Sequence, residues 1–318
     1  MGGKPVVGFV GVGLMGWGMA RNAVEKGWPL CVVAHRKREA IDDLVARGAR
    51  ECADLEELGA AVDVVVLCVT GSPEVEAALA RILPVARPGL TVIDSSTSDP
   101  EVTARLAARL AGQGATLIDA PLSRTPAHAW DGELTTYVSG PAEVVTRWQP
   151  LLESWASTVI PVAGPTGTAH ALKLANNLVS IGYAALWAEC YAMVARIGAD
   201  PATFHAIVSA SGMNCGNFQS FSRYVLEGDA TAHRFALSNA LKDIGYYTRM
   251  ADRAGAATLM SDAALQMLKV GQALGFGDRF LPELADVALT LNGEGPLEFS
   301  RKSAPTPDAA LDAAPTPD

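Results

Sequence analysis

A chain of 318 residues exceeds one ordinary domain, and with 49% hydrophobic and 19% charged residues it has apolar material for a sizeable core in each of two globular domains. The formal net charge of −9 excludes nucleic acid as the main partner, because phosphate binding needs a basic face. Cys31, Cys52, Cys68, Cys190 and Cys215 are scattered without a C-x-x-C, and the five histidines lack zinc-site spacings, so reduced thiols, a cytoplasmic setting and no metal are expected.

The amino terminus opens on the apolar run "VVGFV" at 6–10. Gly11, Gly13 and Gly16 follow as G-x-G-x-x-G, then a segment of helical periodicity ending at Gly27, then a second apolar run at 30–34. A glycine-rich apolar stretch behind Lys4 also fits the core of an export signal. Such a signal gives way to a small-residue cleavage site, whereas here strand, turn, helix and strand continue without a break. That order is the context a dinucleotide fingerprint requires. Gly11 permits the tight turn, Gly13 lets backbone approach a pyrophosphate, and Gly16 lets helix and strand pack closely. Leu14 and Met15, inside the turn, join them as expected cofactor contacts, and the helix amino terminus offers its N–H groups and dipole to the anion.

At the end of the second run an NAD-preferring fold carries Asp or Glu for the ribose hydroxyls, but this chain reads His35, Arg36, Lys37 and Arg38. A cationic cluster suits a 2′-phosphate, which predicts NADP, with NAD possible. The alternative is a solvated basic turn at the start of the next helix.

The apolar run at 62–69 reads as a buried parallel strand and 90–97 as another that ends in hydroxyls, and 116–122, 134–140 and 158–162 complete a sheet of about seven or eight, with helices between. Ligands bind at the carboxyl ends of such strands, where Val69, Thr70, Gly71, Ser96, Thr97, Ser123 and Arg124 fall. Val69, Thr70 and Thr97 are expected to face the cofactor. After "GPTGTAH" at 164–170 the pattern becomes helical only. The stretch 171–198 is long and apolar enough to raise a membrane span, but Glu189 and the polar group at its start favour a helix buried between protein surfaces. Further helices are predicted over 201–210, 217–227, 234–254, 258–274 and 282–291. The expected architecture is an α/β Rossmann-type dinucleotide-binding domain over 1–163, followed by an all-α domain for substrate and oligomerisation over 164–299. A Pro, Ala and Asp-rich tail at 300–318, repeating "APTPD", is expected to be disordered.

Lys173, Asn176 and Asn177 stand at i, i+3 and i+4 and so share one face of the long helix. Two readings fit this spacing. In one, the polar face lines a cleft beside a nicotinamide and Lys173 moves a proton. In the other, the lysine snorkels from a helix end and the asparagines bond backbone.

Four ordered motifs, "GFVGVGLMGWGMARNAVEKG", "DAPLSRTPAHAWDGELTTYVSG", "GPTGTAHALKLANN" and "LSNALKDIGYY", resemble those of the beta-hydroxyacid dehydrogenases. The resemblance runs from residue 6 to about 292. It implies an all-helical second domain, a homodimer or homotetramer, and a small anionic substrate. It also implies that Lys173 is the catalytic lysine, that Asn177 and Ser123 hold substrate, and that Lys242 and Asp243 close over the nicotinamide end. One departure stands out. Where the family pattern reads D-A-P-V-S-G-G, this chain has Ser123, Arg124, Thr125 and Pro126. Paired glycines let N–H groups wrap a carboxylate, whereas Arg124 offers a guanidinium and Pro126 holds Thr125 extended. This loop is similar to that of the sulfolactaldehyde reductases of the same family, and a sulfonate suits such a fork. An outward-turned Arg124 is the alternative.

The resulting expectation is a dehydrogenase interconverting a small 3-hydroxy acid, or sulfonate analogue, and its semialdehyde. Lys173 would be the acid or base, with Ser123, Arg124, Thr125, Asn176 and Asn177 around the substrate. A noncatalytic NADP-binding assembly protein and an imine reductase of related fold are the rivals, and the intact Lys173 speaks against both.

Overall fold

The computed structural model describes residues 3–35 and 38–297, and the chain divides into two compact units, Met1–Lys173 and Leu174–Asp318. The tail expected to be disordered lies outside the described residues.

In the first unit, strands β1 (Val7–Val10), β2 (Leu30–Val33), β3 (Arg50–Cys52), β4 (Val64–Leu67), β5 (Thr91–Asp94) and β6 (Thr116–Asp119) form a parallel sheet of order β3-β2-β1-β4-β5-β6. Alternate residues of these strands feed opposite cores, as the period of two requires. Phe9, Val32, Val66 and Ile93 pack on one face with Met19, Trp148 and Trp155. Val10, Cys31, Val65 and Val92 pack on the other with Leu58, Leu79 and Leu106. Helices α1 (Gly16–Glu25), α2 (Glu39–Ala46), α3 (Leu55–Ala61), α4 (Ser72–Ile82) and α5 (Pro100–Ala111) connect the strands. The strand order reverses between β1 and β4, and in open α/β sheets ligands bind at the carboxyl ends of the strands at such a point.

The remaining strands form a second sheet rather than extending the first, which corrects the expected sheet of seven or eight. β7 (Leu122–Ser123), β8 (Leu134–Val138) and β9 (Ala156–Pro161) stand in that order, β7 antiparallel and β9 parallel to β8. The predicted run 116–122 breaks after Asp119, whose backbone bridges Ser139 at the end of β8. Its two halves therefore belong to different sheets. Helices α6 (Pro126–Asp131) and α7 (Ala142–Leu152) connect the strands of the second sheet in sequence.

Helix α8 (Thr168–Arg196) begins in the first unit and runs on into the second. There Ile181, Ala184, Ala188 and Tyr191 of α8 share a core with Phe218, Phe221, Ile244 and Leu284. Those partners come from α10 (Gly216–Glu227), α11 (Leu237–Arg253) and α13 (Leu284–Leu291), while α9 (Pro201–Ser209) and α12 (Leu259–Ala273) complete the helical set. α11 starts three residues later than its periodicity predicts, because Ala236 is extended and pairs with Phe280. α8 has a mean hydropathy of 1.4 over its most apolar window, high enough for a membrane span, but a full side of it is committed to this core.

Candidate active site

The chain leaves β1 through Gly11, whose φ of +94° favours glycine. A Cβ on Gly11 would stand 2.3 Å from the Cys68 carbonyl oxygen, and one on Gly16 would stand 1.9 Å from the Gly11 oxygen. Packing alone requires both glycines. Gly13 is different: nothing lies within 4 Å of a Cβ built there. The space over the turn is open where α1 begins, no side chain caps that helix, and its first turn carries no acid. Bare N–H groups, a positive dipole end and a clear approach fit a pyrophosphate. Leu14 is exposed and Met15 half-buried beside this opening. At the neighbouring strand ends, the Val69 N–H donates to Ser96 Oγ at 3.0 Å, leaving Thr70 exposed and Thr97 half-buried.

His35 is exposed at the end of β2, while Arg36 and Lys37 lie outside the described residues. Arg38, the third basic residue of the cluster, is paired within the protein. Its guanidinium forks onto Glu51 at 3.1 and 3.0 Å and meets Asp42 at 3.0 Å, because β3 sets Glu51 beside β2 and Asp42 follows one turn along α2. Two carboxylates thus answer a charge the sequence assigned to a phosphate.

The loop expected to hold substrate follows β6. Ser123 Oγ and the Tyr137 hydroxyl lie 2.7 Å apart, paired across β7 and β8. Tyr137 is a site candidate that sequence reasoning missed. The alternation of "LTTYV" puts it on the same face as Thr135, which stands opposite Ser123, so the hairpin register was its signal. Arg124 has φ +88°, the one positive value at a non-glycine among the described residues. The loop therefore keeps a glycine-like backbone while carrying a guanidinium. Its side chain is 44% exposed and, among the described residues, pairs with Glu133 at 4.0 Å, a surface pair of little energetic weight. Thr125 is extended, with φ −106° and ψ 168°, and its hydroxyl meets His128 Nδ1 at 2.7 Å.

Lys173 is half-buried near the start of α8, with Asn176 exposed and Asn177 buried one turn on. In the second unit Asn177 Nδ2 donates to Asp243 Oδ2 at 2.7 Å, and Lys242 Nζ donates to Asp243 Oδ1 at 2.6 Å. Two predicted residues thus converge on the carboxylate of a third, Asp243, which is 2% exposed, and so satisfy a charge too costly to bury alone. Lys242 also lies 4.9 Å over the Tyr246 ring.

Residues 6–164 match the NAD binding domain of 6-phosphogluconate dehydrogenase, and residues 167–285 match the NAD-binding region of NADP-dependent 3-hydroxyisobutyrate dehydrogenase. An L-threonate dehydrogenase of Cupriavidus necator is 31% identical over 274 residues, covering 85% of this chain and 92% of that protein. Among solved structures, 3-hydroxyisobutyrate dehydrogenase from Salmonella typhimurium superposes with a TM-score of 0.80 at 28% identity, covering 89% of this chain and 99% of that one. Psf3 in complex with NADP+ and 2-OPP gives 0.75 at 29% identity, covering 88% and 99%. With both halves matched in order, the chain belongs to the beta-hydroxyacid dehydrogenase family.

Proposed function

We propose that the protein is an NADP-preferring, cytoplasmic dehydrogenase that interconverts a small 3-hydroxy acid, or its sulfonate analogue, and the corresponding semialdehyde. The observation that carries this reading is Lys173, half-buried in the second turn of α8 and followed one turn on by Asn176 and Asn177. When bound, the nicotinamide cofactor supplies or accepts the hydride at the hydroxyl-bearing carbon. Lys173 Nζ gives its proton to the carbonyl oxygen in reduction and takes the hydroxyl proton in oxidation. Ser123, Arg124, Thr125, Asn176 and Asn177 hold the anionic head. Arg124 keeps a left-handed backbone that is costly to any side chain, and strain retained in a site loop supports a role for that side chain.

Gly11, Gly13, Leu14, Met15 and Gly16 hold the pyrophosphate, and Val69, Thr70, Thr97, Lys242 and Asp243 the nicotinamide side. His35, Arg36 and Lys37 take the 2′-phosphate. With Arg38 engaged by Glu51 and Asp42, NADP preference falls on Arg36 and Lys37. The assembly is a homodimer or homotetramer through the helical domain.

The decisive measurement is single-turnover reduction with NADPH, using a panel of the aldehyde of 3-hydroxyisobutyrate, tartronate semialdehyde, sulfolactaldehyde and the oxo acid of L-threonate. Lys173→Ala should lower the rate by roughly 10²–10⁴ with NADPH affinity preserved, and Lys173→Arg should not restore it, because a guanidinium cannot release its proton. Near-normal turnover in the Arg variant would remove Lys173 as the acid. Arg36→Ala should raise KM for NADP by about tenfold or more and leave NAD nearly unchanged, the loss of a charged hydrogen bond. Equal loss for both cofactors refutes the NADP assignment.

A further inference from the structure

α8 begins where its own sequence supplies no cap. Gly167 occupies the capping position and has no side chain to offer. Its φ of +105°, and the Pro100 carbonyl oxygen 2.9 Å from where a Cβ would stand, leave no room for one. The cap is provided from the sheets instead. Asp119, the last residue of β6 and fully buried, accepts the Gly167 N–H and the Ser139 hydroxyl on Oδ1, at 2.8 and 2.5 Å, and the His170 N–H on Oδ2 at 2.8 Å. Ser139 Oγ in turn accepts the Ala169 N–H at 3.0 Å. The Thr168 N–H goes to the Pro165 carbonyl at 3.1 Å, so every N–H from 167 to 170 has an acceptor. The His170 ring, itself fully buried, is fixed from α5 by Thr103 Oγ1, 2.9 Å from its Nδ1. Lys173 follows His170 by three residues, on the same face of the helix. Ser123 follows Asp119 by four.

We infer that Asp119 is a positioning residue for the reaction: its carboxylate sets the rotation and height of the first turn of α8, and through it Lys173, against the loop that carries Ser123 and Arg124. This rests on Lys173 being the proton donor. The chemistry requires a carboxylate, because three donors converge on two acceptor oxygens. Asn at this place keeps the shape but turns an NH₂ group toward a backbone N–H, setting donor against donor. A cap that served folding alone would change stability and leave turnover of the folded protein intact. A cap that aims the lysine changes the rate, since displacement of a reacting group by about 1 Å costs up to about 10²-fold.

The test uses the full chain with Asp119→Asn, Ser139→Ala, Lys173→Ala and the Asp119→Asn/Lys173→Ala double variant. Thermal midpoint, NADPH affinity by fluorescence and single-turnover reduction are measured for each. Asp119→Asn should lose roughly 10- to 100-fold in turnover while NADPH affinity stays within about twofold. In the Lys173→Ala background the same change should cost nothing further, because it acts through the lysine. Ser139→Ala, which strands the Ala169 N–H and takes one of the three donors from Asp119, should lose about two- to fivefold and carries the test if Asp119→Asn does not fold. Normal turnover in folded Asp119→Asn beside an inactive Lys173→Ala overturns this inference alone, as does a full multiplicative loss in the double variant. Where Ser139→Ala is the test, unchanged turnover overturns it. Full activity of Lys173→Ala overturns the proton-donor reading and this inference with it.

Discussion

Gly13 and Gly16 stand in the same turn, yet different neighbours require them. At Gly16 the neighbour is the protein's own backbone, 1.9 Å from a Cβ, so Gly16→Ala should push α1 off β1 and destabilise the fold by about 1–3 kcal/mol. At Gly13 a methyl group meets nothing, so Gly13→Ala should keep the thermal midpoint and weaken NADPH binding. Melting and cofactor titration of the two variants check this, and equal destabilisation would deny Gly13 a ligand role. Arg124 allows a second separation. Arg124→Gly relieves about 1–2 kcal/mol of left-handed strain against about 0.4–1 kcal/mol of added freedom in the unfolded chain, so stability should hold or rise. Binding of a sulfonate or other multiply anionic substrate should fall more than that of a simple carboxylate. A uniform response across substrates would make Arg124 an ordinary surface residue. The glycine turn and the Lys173 face are legible in the sequence because each is a local spacing. Tyr137 is not, since its approach to Ser123 depends on a hairpin register 14 residues apart.

Elements with a local signature are legible and those defined by distant partners are not. The buried strands β1, β2, β4, β5 and β6 announce themselves as apolar runs. β3, with two of its three residues exposed, has no such pattern, and two-residue β7 exists only through its pairing with β8. The cap of α8 joins residues 30 to 51 positions apart and leaves no mark on spacing. Glu283, in the turn before α13, offers a test at this scale. Its Oε2 accepts the Phe280 N–H at 2.9 Å and Arg279 lies 3.3 Å from Oε1. Burial pushes the carboxyl above the usual glutamate range, outweighing the Phe280 N–H and Arg279, with Asp286 adding to the rise. An acid raised in the fold contributes stability that is complete below its unfolded pKa and is lost as pH rises through the folded one. The thermal midpoint of the native chain should therefore fall relative to Glu283→Gln as pH rises above the unfolded glutamate value of about 4.3. A gap that is constant with pH would show that the carboxyl titrates alike in both states.

At the scale of the whole molecule, α8 is apolar on the side its own unit does not cover. Val179, Tyr183, Leu186 and Met193, with Ile197 just past the helix end, are exposed, at intervals of three, four and seven residues that align them in one stripe, and Cys190 falls on the same line. The proposed homo-oligomer through the helical domain would cover such a stripe. The five free cysteines report on this. Cys52 and Cys68 are pushed up to about 12, foremost by burial, and Cys31 is buried, so these three should react with a thiol reagent only on unfolding. Cys215, exposed beside α10, should react at once in the native protein. Cys190 is raised by partial burial and by Glu189, which slows it, and a partner's helix should slow it much further. A Leu186→Glu variant, placing a charge four residues from Cys190 on the stripe, should shift the protein to monomer and release Cys190 to the reagent. Mass spectrometry of labelled peptides, alongside light scattering for the assembled mass, reads both at once. A native monomer in which Cys190 reacts as fast as it does in Leu186→Glu would mean that the stripe faces no second copy of the chain.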